Sequence, residues 1–404
     1  GGDLDCSGHD RVCDENVKVT VNRADRRFWV IADPSTWPGC SDPTSADYGQ
    51  ADTCFHGVPI GFNYHFNWYN MPFYHDPGHL DMAAEISRWE SYSVNSIHLF
   101  LGVPQECVDG SQPPDTCASG IHRFYERYDG SQWSFDEEFE KHFRTFLRDF
   151  DGVVWVSLYD NFWITEGLNG HFEEFPYTDV CGLSTWGDFF ASACARERTR
   201  DRIRRFVDLV TGNVHGPVYT DGAADSGESY WARIAGIDLM NESDNYWTVD
   251  APILADWVAA MRSEVRTLEQ AIGLPETIVY VSYVDGTIST AADIAYNRDA
   301  TPLVDMISPH MYWDQGGQGL NYRSDILGSQ IWIGDALGTH LARTDTGLGW
   351  CAGGDCATHG YNPQRQTVPI LTSEWGPLYA EEQYQNADAS WFRLISLSLY
   401  AAGD

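Results

Sequence analysis

From residue 57 onward the chain repeats one pattern: a short apolar run rich in Val and Ile, then a stretch with apolar residues at helical spacing. The runs are VPIGFNY (58–64), VNSIHLFLG (94–102), GVVWVSLYD (152–160), IAGIDLMNE (234–242), TIVYVSYVD (277–285), VDMISPHMY (304–312) and VPILTSEWG (368–376). Between them, DEEFEKHFRTFLRDF (136–150) places Phe139, Phe143, Phe146 and Phe150 on one stripe. RERTRDRIRRFVDLV (196–210) does the same with Ile203, Phe206, Val207 and Val210. PILADWVAAMRSEVRTLEQAI (252–272) starts near Pro252 and lines up Leu254, Trp257, Met261, Val265 and Leu268. These stripes read as core-facing packing rather than as a cofactor box.

Seven such β-then-α units predict a parallel sheet covered by helices, either doubly wound or closed as a (β/α)8 barrel. Three observations favour the barrel. Neither GxGxxG nor GxxxxGK[ST] follows any strand. Polar residues gather at the C-terminal ends of many strands instead of at one switch point. The βα loops are long and carry cysteine pairs. The predicted fold is thus an α/β TIM barrel over 57–404, with disulfide-stapled βα loops. Residues 1–56, turn-rich and holding the strand-like runs VKVTV (17–21) and RFWVI (27–31), are expected to form an N-terminal cap or hairpin. An eighth strand is not evident. The last helical pattern, ASWFRLISLSLYAAGD (389–404), stops where that strand is due, so it lies outside this chain or another segment closes the barrel.

Composition narrows the function classes. The 404 residues carry a formal charge of −34 with a pI near 4.5. That argues against a nucleic-acid partner and against anionic membranes. It fits a protein kept soluble by self-repulsion. Lysine occurs only at Lys18 and Lys141, for which we have no physical account. No apolar stretch approaches the roughly 20 residues of a membrane span. The start, GGDLDCSGHD, shows no leader pattern and reads as a processed or trimmed terminus. The ten cysteines form five sequence-adjacent pairs: Cys6 and Cys13, Cys40 and Cys54, Cys107 and Cys117, Cys181 and Cys194, Cys351 and Cys356. Connectivity does not follow from sequence, but this clustering favours sequential disulfides that staple surface loops. Metal binding, for example through CAGGDC (351–356), is the rival; no CxxC spacing supports it. Disulfides imply an extracellular or secretory compartment. No metal or cofactor is expected.

Candidate chemistry lies at the strand ends. They offer Asn63 and Tyr64, then His98, then Asp160 and Asn161, then Asn241 and Glu242, then His310 and Tyr312, then Glu374 and Trp375. In a barrel all converge on one mouth, with Glu242 and Glu374 facing each other from strands 4 and 7. Glycosidic cleavage needs such a pair, one carboxyl protonating the leaving oxygen and one carboxylate facing the anomeric carbon. A separation of about 5–5.5 Å implies a retaining mechanism. The one N-x-S/T sequon, at Asn241, falls on this cleft, which argues against glycosylation there.

The segments LMNE, HMY and ILTSEWG, closing strands 4, 6 and 7, resemble glycoside hydrolase family 5, in the large retaining (β/α)8 clan. The resemblance covers most of 57–404. It implies that Glu242 is the acid/base and Glu374 the nucleophile. It also implies that Asn241 contacts the sugar 2-hydroxyl, and that Tyr312, beside His310, hydrogen-bonds the nucleophile. The approach FVDLVTGNVHGPVYTDG…WARIAGIDLMNE is similar to that of endo-β-1,4-mannanases. Two positions depart from the family: His98 stands where an Arg is usual on strand 2, and the strand-8 aromatic platform has no counterpart here. Sixteen Trp and twenty-one Tyr suit a glycan cleft; by position, Trp375 and Trp313 are the leading platforms, with His98 and Asn63 as further substrate contacts. The expectation is a secreted retaining hydrolase of β-linked polysaccharide, β-mannan slightly ahead of β-glucan. The alternative is a non-catalytic relative that binds carbohydrate or serves in a surface assembly, so self-association stays open.

Overall fold

The structure is a computed structural model of the chain. It describes residues 18–22, 27–31, 54–56, 61–64, 82–91, 94, 96–101, 125–135, 137–150, 152–169, 175–212, 229–243, 251–284, 303–306, 308–312 and 374–376. The strands are β1 (Lys18–Asn22), β2 (Arg27–Ile31), β3 (Cys54–His56), β4 (Gly61–Tyr64), β5 (Ser96–Phe100), β6 (Glu126–Tyr128), β7 (Trp133–Phe135), β8 (Val153–Ser157), β9 (Ile234–Asp238), β10 (Ile278–Tyr280), β11 (Ser282–Val284), β12 (Ser308–Tyr312) and β13 (Glu374–Gly376). The helices are α1 (Met82–Ser91), α2 (Glu137–Asp149), α3 (Asn161–Leu168), α4 (Pro176–Cys181), α5 (Trp186–Ala191), α6 (Ala193–Thr211) and α7 (Ala251–Ile272).

Strands β4, β5, β8, β9 and β10 pair in that order, all parallel, and β11, β12 and β13 form a second parallel set. Only Val281 separates β10 from β11, so the two sets share one strand. Seven strands therefore follow one another in chain order. A doubly wound sheet reverses its order at a switch point, and this one does not. The architecture is the (β/α)8 barrel. Among the described residues no strand joins β13 back to β4.

The helical stripes pack as their spacing dictates. Phe143, Phe146 and Phe150 are buried, with Phe143 6.2 Å from Phe206 of α6. The side chain of Phe139 lies outside the described residues. Helix α6 starts at Ser192, whose hydroxyl caps Ala195 N–H, and stops at Gly212, where φ of 72° suits glycine. On α7, Leu254, Trp257, Met261 and Val265 are buried and Leu268 packs beside them; Phe190 of α5 meets Trp257 edge-on at 5.1 Å. No described helix is long and apolar enough to cross a membrane.

Two details differ from the sequence pattern. The run 304–312 is strand only from Ser308, because Val304, Asp305 and Met306 form a bend. Asp305 causes it: its N–H goes to Val279 O at 2.9 Å, while its carboxylate accepts Val279 N–H and binds Arg262 and Arg266. At the other end, the predicted hairpin is three-stranded: β1 pairs antiparallel with β2, and β2 with β3. Strand β1 lies against β9, β10 and the turn Trp231–Arg233 that leads into β9. This places it at the N-terminal ends of the barrel strands, opposite the candidate site. One predicted disulfide, Cys181–Cys194, is formed and ties α4 to the start of α6. Cys54 begins β3, and the other seven cysteines lie outside the described residues.

Candidate active site

The barrel interior is built in layers by residues two apart on each strand. In the lower layer, Trp155 Nε1 donates to Ser96 Oγ at 2.9 Å, and the indole lies 6.1 Å from Tyr280 across Gly236. A Cβ on Gly236 would come within 2.6 Å of that indole, so the bulk of Trp155 dictates glycine.

The next layer is polar and buried. It contains His98, Ser157, Asp238 and Ser282, one from each of four neighbouring strands. Ser157 Oγ donates to Asp238 Oδ2 at 2.9 Å, and Ser282 Oγ donates to the same oxygen at 2.6 Å. Asp238 Oδ1 accepts the N–H groups of Ser282 and Met240 at 3.1 and 3.2 Å. With the Ser157 proton committed, His98 Nε2 is the donor in its 2.7 Å contact with Ser157 Oγ. His98 is 5% exposed, and its ring packs 4.6 Å from that of Phe100, so here it is a hydrogen-bonded interior side chain.

Above this layer lie Asp160, Asn161, Asn241 and Glu242. Pairing between strands 3 and 4 continues through a bridge between Asp160 and Asn241, with Asn241 N–H on Tyr159 O and Asn161 N–H on Asn241 O. Asn241 Nδ2 donates to Asp160 Oδ2 at 2.9 Å. Glu242 has φ of 50°, the sole non-glycine positive φ among the described residues. Its main chain is clamped on both sides: its N–H reaches Ser282 Oγ at 3.2 Å, and its carbonyl accepts Asn161 Nδ2 at 2.7 Å. A left-handed residue with a Cβ is strained and persists only when its surroundings over-determine it, as they do here. Asn241 and Ser243 of the sequon are both buried, which closes that site to a glycan.

Strand 7 begins, among the described residues, at Glu374. Asp238 pairs with Tyr280, and Val284 pairs with His310, which pairs with Glu374. Ser282, whose hydroxyl holds Glu242 N–H, lies two residues before Val284 on the same strand, so pairing runs from the Glu242 turn through Val284 and His310 to Glu374. Asn63 pairs with His98, Trp375 with Met311, and Tyr312 with Gly376. Trp313 lies outside the described residues.

A second buried cluster supports strand 3 from outside. Tyr159 hydroxyl meets Tyr177 hydroxyl at 2.8 Å, and Tyr177 donates in turn to Glu126. Arg202 lies 3.7 Å from Glu126, with its guanidinium 4.0 Å over the Tyr159 ring. Burial pushes the Glu126 carboxyl above its ordinary value, against the pull of Arg202 and the Tyr177 hydroxyl. Burial, with Glu126 adding to it, pushes Tyr159 up to about 12. Sequence reasoning missed this cluster and, apart from His98, the Asp238 layer. The available signal was Asp238 itself, a charge inside an apolar run, which burial obliges to find donors.

Together these features define a TIM barrel with a polar, pre-organised mouth at the C-terminal ends of its strands. No family profile and no curated protein matches the chain. Solved structures do. The family 5 mannosidase from Rhizomucor miehei aligns over 93% of this chain and 77% of its own, at 14% identity and a TM-score of 0.54. The exo-β-1,4-mannosidase Op5Man5 from Opitutaceae bacterium strain TAV5 aligns over 88% at 14% identity and a TM-score of 0.51; this chain spans 52% of its length. The endo-1,4-β-D-mannanase from Thermotoga petrophila RKU-1 aligns over 85% of both chains at 15% identity and a TM-score of 0.50. What is shared at such identity is the fold.

Proposed function

We propose that the chain is a secreted retaining glycoside hydrolase acting on β-linked polysaccharide, with β-mannan ahead of β-glucan. Glu242 is its acid/base and Glu374 its nucleophile. The observation that carries the reading is the clamped, left-handed Glu242 at the end of strand 4, with Glu374 paired beside His310 on strand 7. Strain of this kind concentrates where a side chain must be aimed. The mannan-active enzymes of the same fold support the substrate class. The Cys181–Cys194 disulfide supports an oxidising compartment.

In the first step the Glu374 carboxylate attacks the anomeric carbon as Glu242 gives its proton to the departing glycosidic oxygen. A glycosyl-enzyme ester forms and the leaving sugar takes the proton. In the second step Glu242, now a carboxylate, removes a proton from water, whose oxygen displaces Glu374. Asn241 is held by Asp160 through one amide hydrogen and offers the second to the sugar 2-hydroxyl.

Reducing-sugar release from a panel of β-mannans and β-glucans tests the reading. Wild type is expected to act on at least one. Glu374→Gln and Glu242→Gln are each expected to lose about 10²–10⁴-fold on polysaccharide. A wild type that binds a glycan yet cleaves none supports the non-catalytic alternative, and full activity in either variant removes the assigned roles.

A further inference from the structure

Barrel interiors are dominated by branched apolar side chains, yet Asp238 is fully buried there. A charge so placed must be surrounded by donors, and four converge on it. What they do to the main chain is specific. The β9–β10 ladder runs from Gly236 and Ile278 to Asp238 and Tyr280, and Leu239 N–H still reaches Tyr280 O at 2.9 Å. Continued in the parallel pattern, the Ser282 carbonyl would next take the N–H of Asn241. It takes that of Ser243, at 3.2 Å, and Asn241 N–H turns to Tyr159 O on the other neighbour. The Ser282 N–H, which a ladder would give to a main-chain carbonyl, goes to the Asp238 carboxylate.

Face alternation breaks at the same point. Pairing with strand 3 passes from Ser157 and Asp238 to Asp160 and Asn241, three residues on rather than two. Residues three apart on a regular strand face opposite ways. Here both reach one hydroxyl, Ser282 Oγ, from 2.6 Å for Asp238 Oδ2 and 3.0 Å for Asn241 Oδ1. The same oxygen holds Glu242 N–H.

We propose that Asp238 is a positioning residue for the acid/base. By capturing the N–H and hydroxyl of Ser282 and the N–H of Met240, it ends the ladder. It thereby forces the irregular turn that brings Asn241 and Glu242 over the cleft, and it acts on Glu242 through Ser282. The inference rests on Glu242 being the acid/base, as proposed above.

The discriminating readout is leaving-group dependence. A polysaccharide leaving group needs a proton from Glu242; dinitrophenolate does not. We compare kcat/KM on the polysaccharide and on a dinitrophenyl β-glycoside of the same sugar for wild type, Glu242→Gln, Ser282→Ala and Asp238→Asn, with thermal melts to verify folding. Ser282→Ala is expected to lose about tenfold to hundredfold more on polysaccharide than on the aryl glycoside, a share of what general acid catalysis supplies, any loss common to both being what it carries through Asn241. Asp238→Asn, where it folds, is expected to show the same split. Should Asp238→Asn not fold, Ser282→Ala decides alone. Equal losses on both substrates, or no loss on either, in folded Ser282→Ala overturn the positioning role while leaving Glu242 its own. Absence of the split in Glu242→Gln, or a wild type inactive on both substrates, overturns the acid/base reading, and this inference with it.

Discussion

Asp305 sits at the foot of strand 6 between two arginines. Arg262 Nη2 lies 2.7 Å from one carboxylate oxygen and Arg266 Nη2 2.5 Å from the other. Burial pushes its carboxyl up, but Arg266 and Arg262 outweigh burial and hold it below its ordinary value. A carboxylate with a lowered folded pKa stabilises the fold fully above its unfolded pKa, about 4. That contribution is lost as pH falls through the lowered folded value. Asp305→Asn is therefore expected to cost about 3–5 kcal/mol at pH 7, because two arginines lose a buried partner. Urea titrations should show the gap between variant and wild type narrowing below about pH 4. A gap of equal size at both pH values would assign the effect to shape rather than charge. Glu126 runs the other way. Its raised carboxyl makes the surrounding cluster less favourable as pH climbs through the window above its ordinary value.

At the scale of strands and helices, the run lengths and the 3.6-residue stripes made the seven barrel strands and the helices α2, α6 and α7 legible in the sequence, but not α1 or the short α3, α4 and α5. Burial of a helix stripe or a strand is local, and the pattern records it directly. Partnership is not local. Asp238 meets Ser157 from 81 residues away and Ser282 from 44, so the run GIDLM reads as plain strand until the fold brings both hydroxyls to it. Asp305 likewise looks like one polar residue in a strand and acts as its stop, because Arg262 and Arg266 arrive from another element. The lower barrel layer adds a size rule that the pattern cannot show: Trp155 occupies the volume a side chain at position 236 would take. Gly236→Ala is expected to destabilise by about 1–3 kcal/mol through overpacking. Truncating the indole in Trp155→Phe removes the ring atoms that clash, so the same glycine change should cost less in that background. A double-mutant cycle by denaturant unfolding measures the coupling. Additive costs would mean that the chain relaxes elsewhere.

At the scale of the whole molecule, 59 acidic side chains face 25 basic ones. On α6 the arginines are drawn into pairs. Arg204 binds Glu197, Asp201 and Glu264, Arg200 binds Glu197, and Arg196 binds Asp256. Exposed pairs of this kind contribute little each and act over a few ångströms. The uncompensated acids repel one another over longer distances. For 404 residues the radius of gyration is about 22 Å, smaller than the roughly 30 Å screening length at 0.01 M salt and larger than the roughly 8 Å at 0.15 M. In dilute buffer the repulsion therefore spans the molecule, and in physiological salt only near neighbours feel it. The melting temperature is expected to rise as NaCl goes from 10 to 150 mM, because screening removes more repulsion than attraction. Differential scanning calorimetry measures it. A fall over that range would mean that the α6 ion pairs outweigh the net charge, and that this fold is held against its acidity by its few arginines.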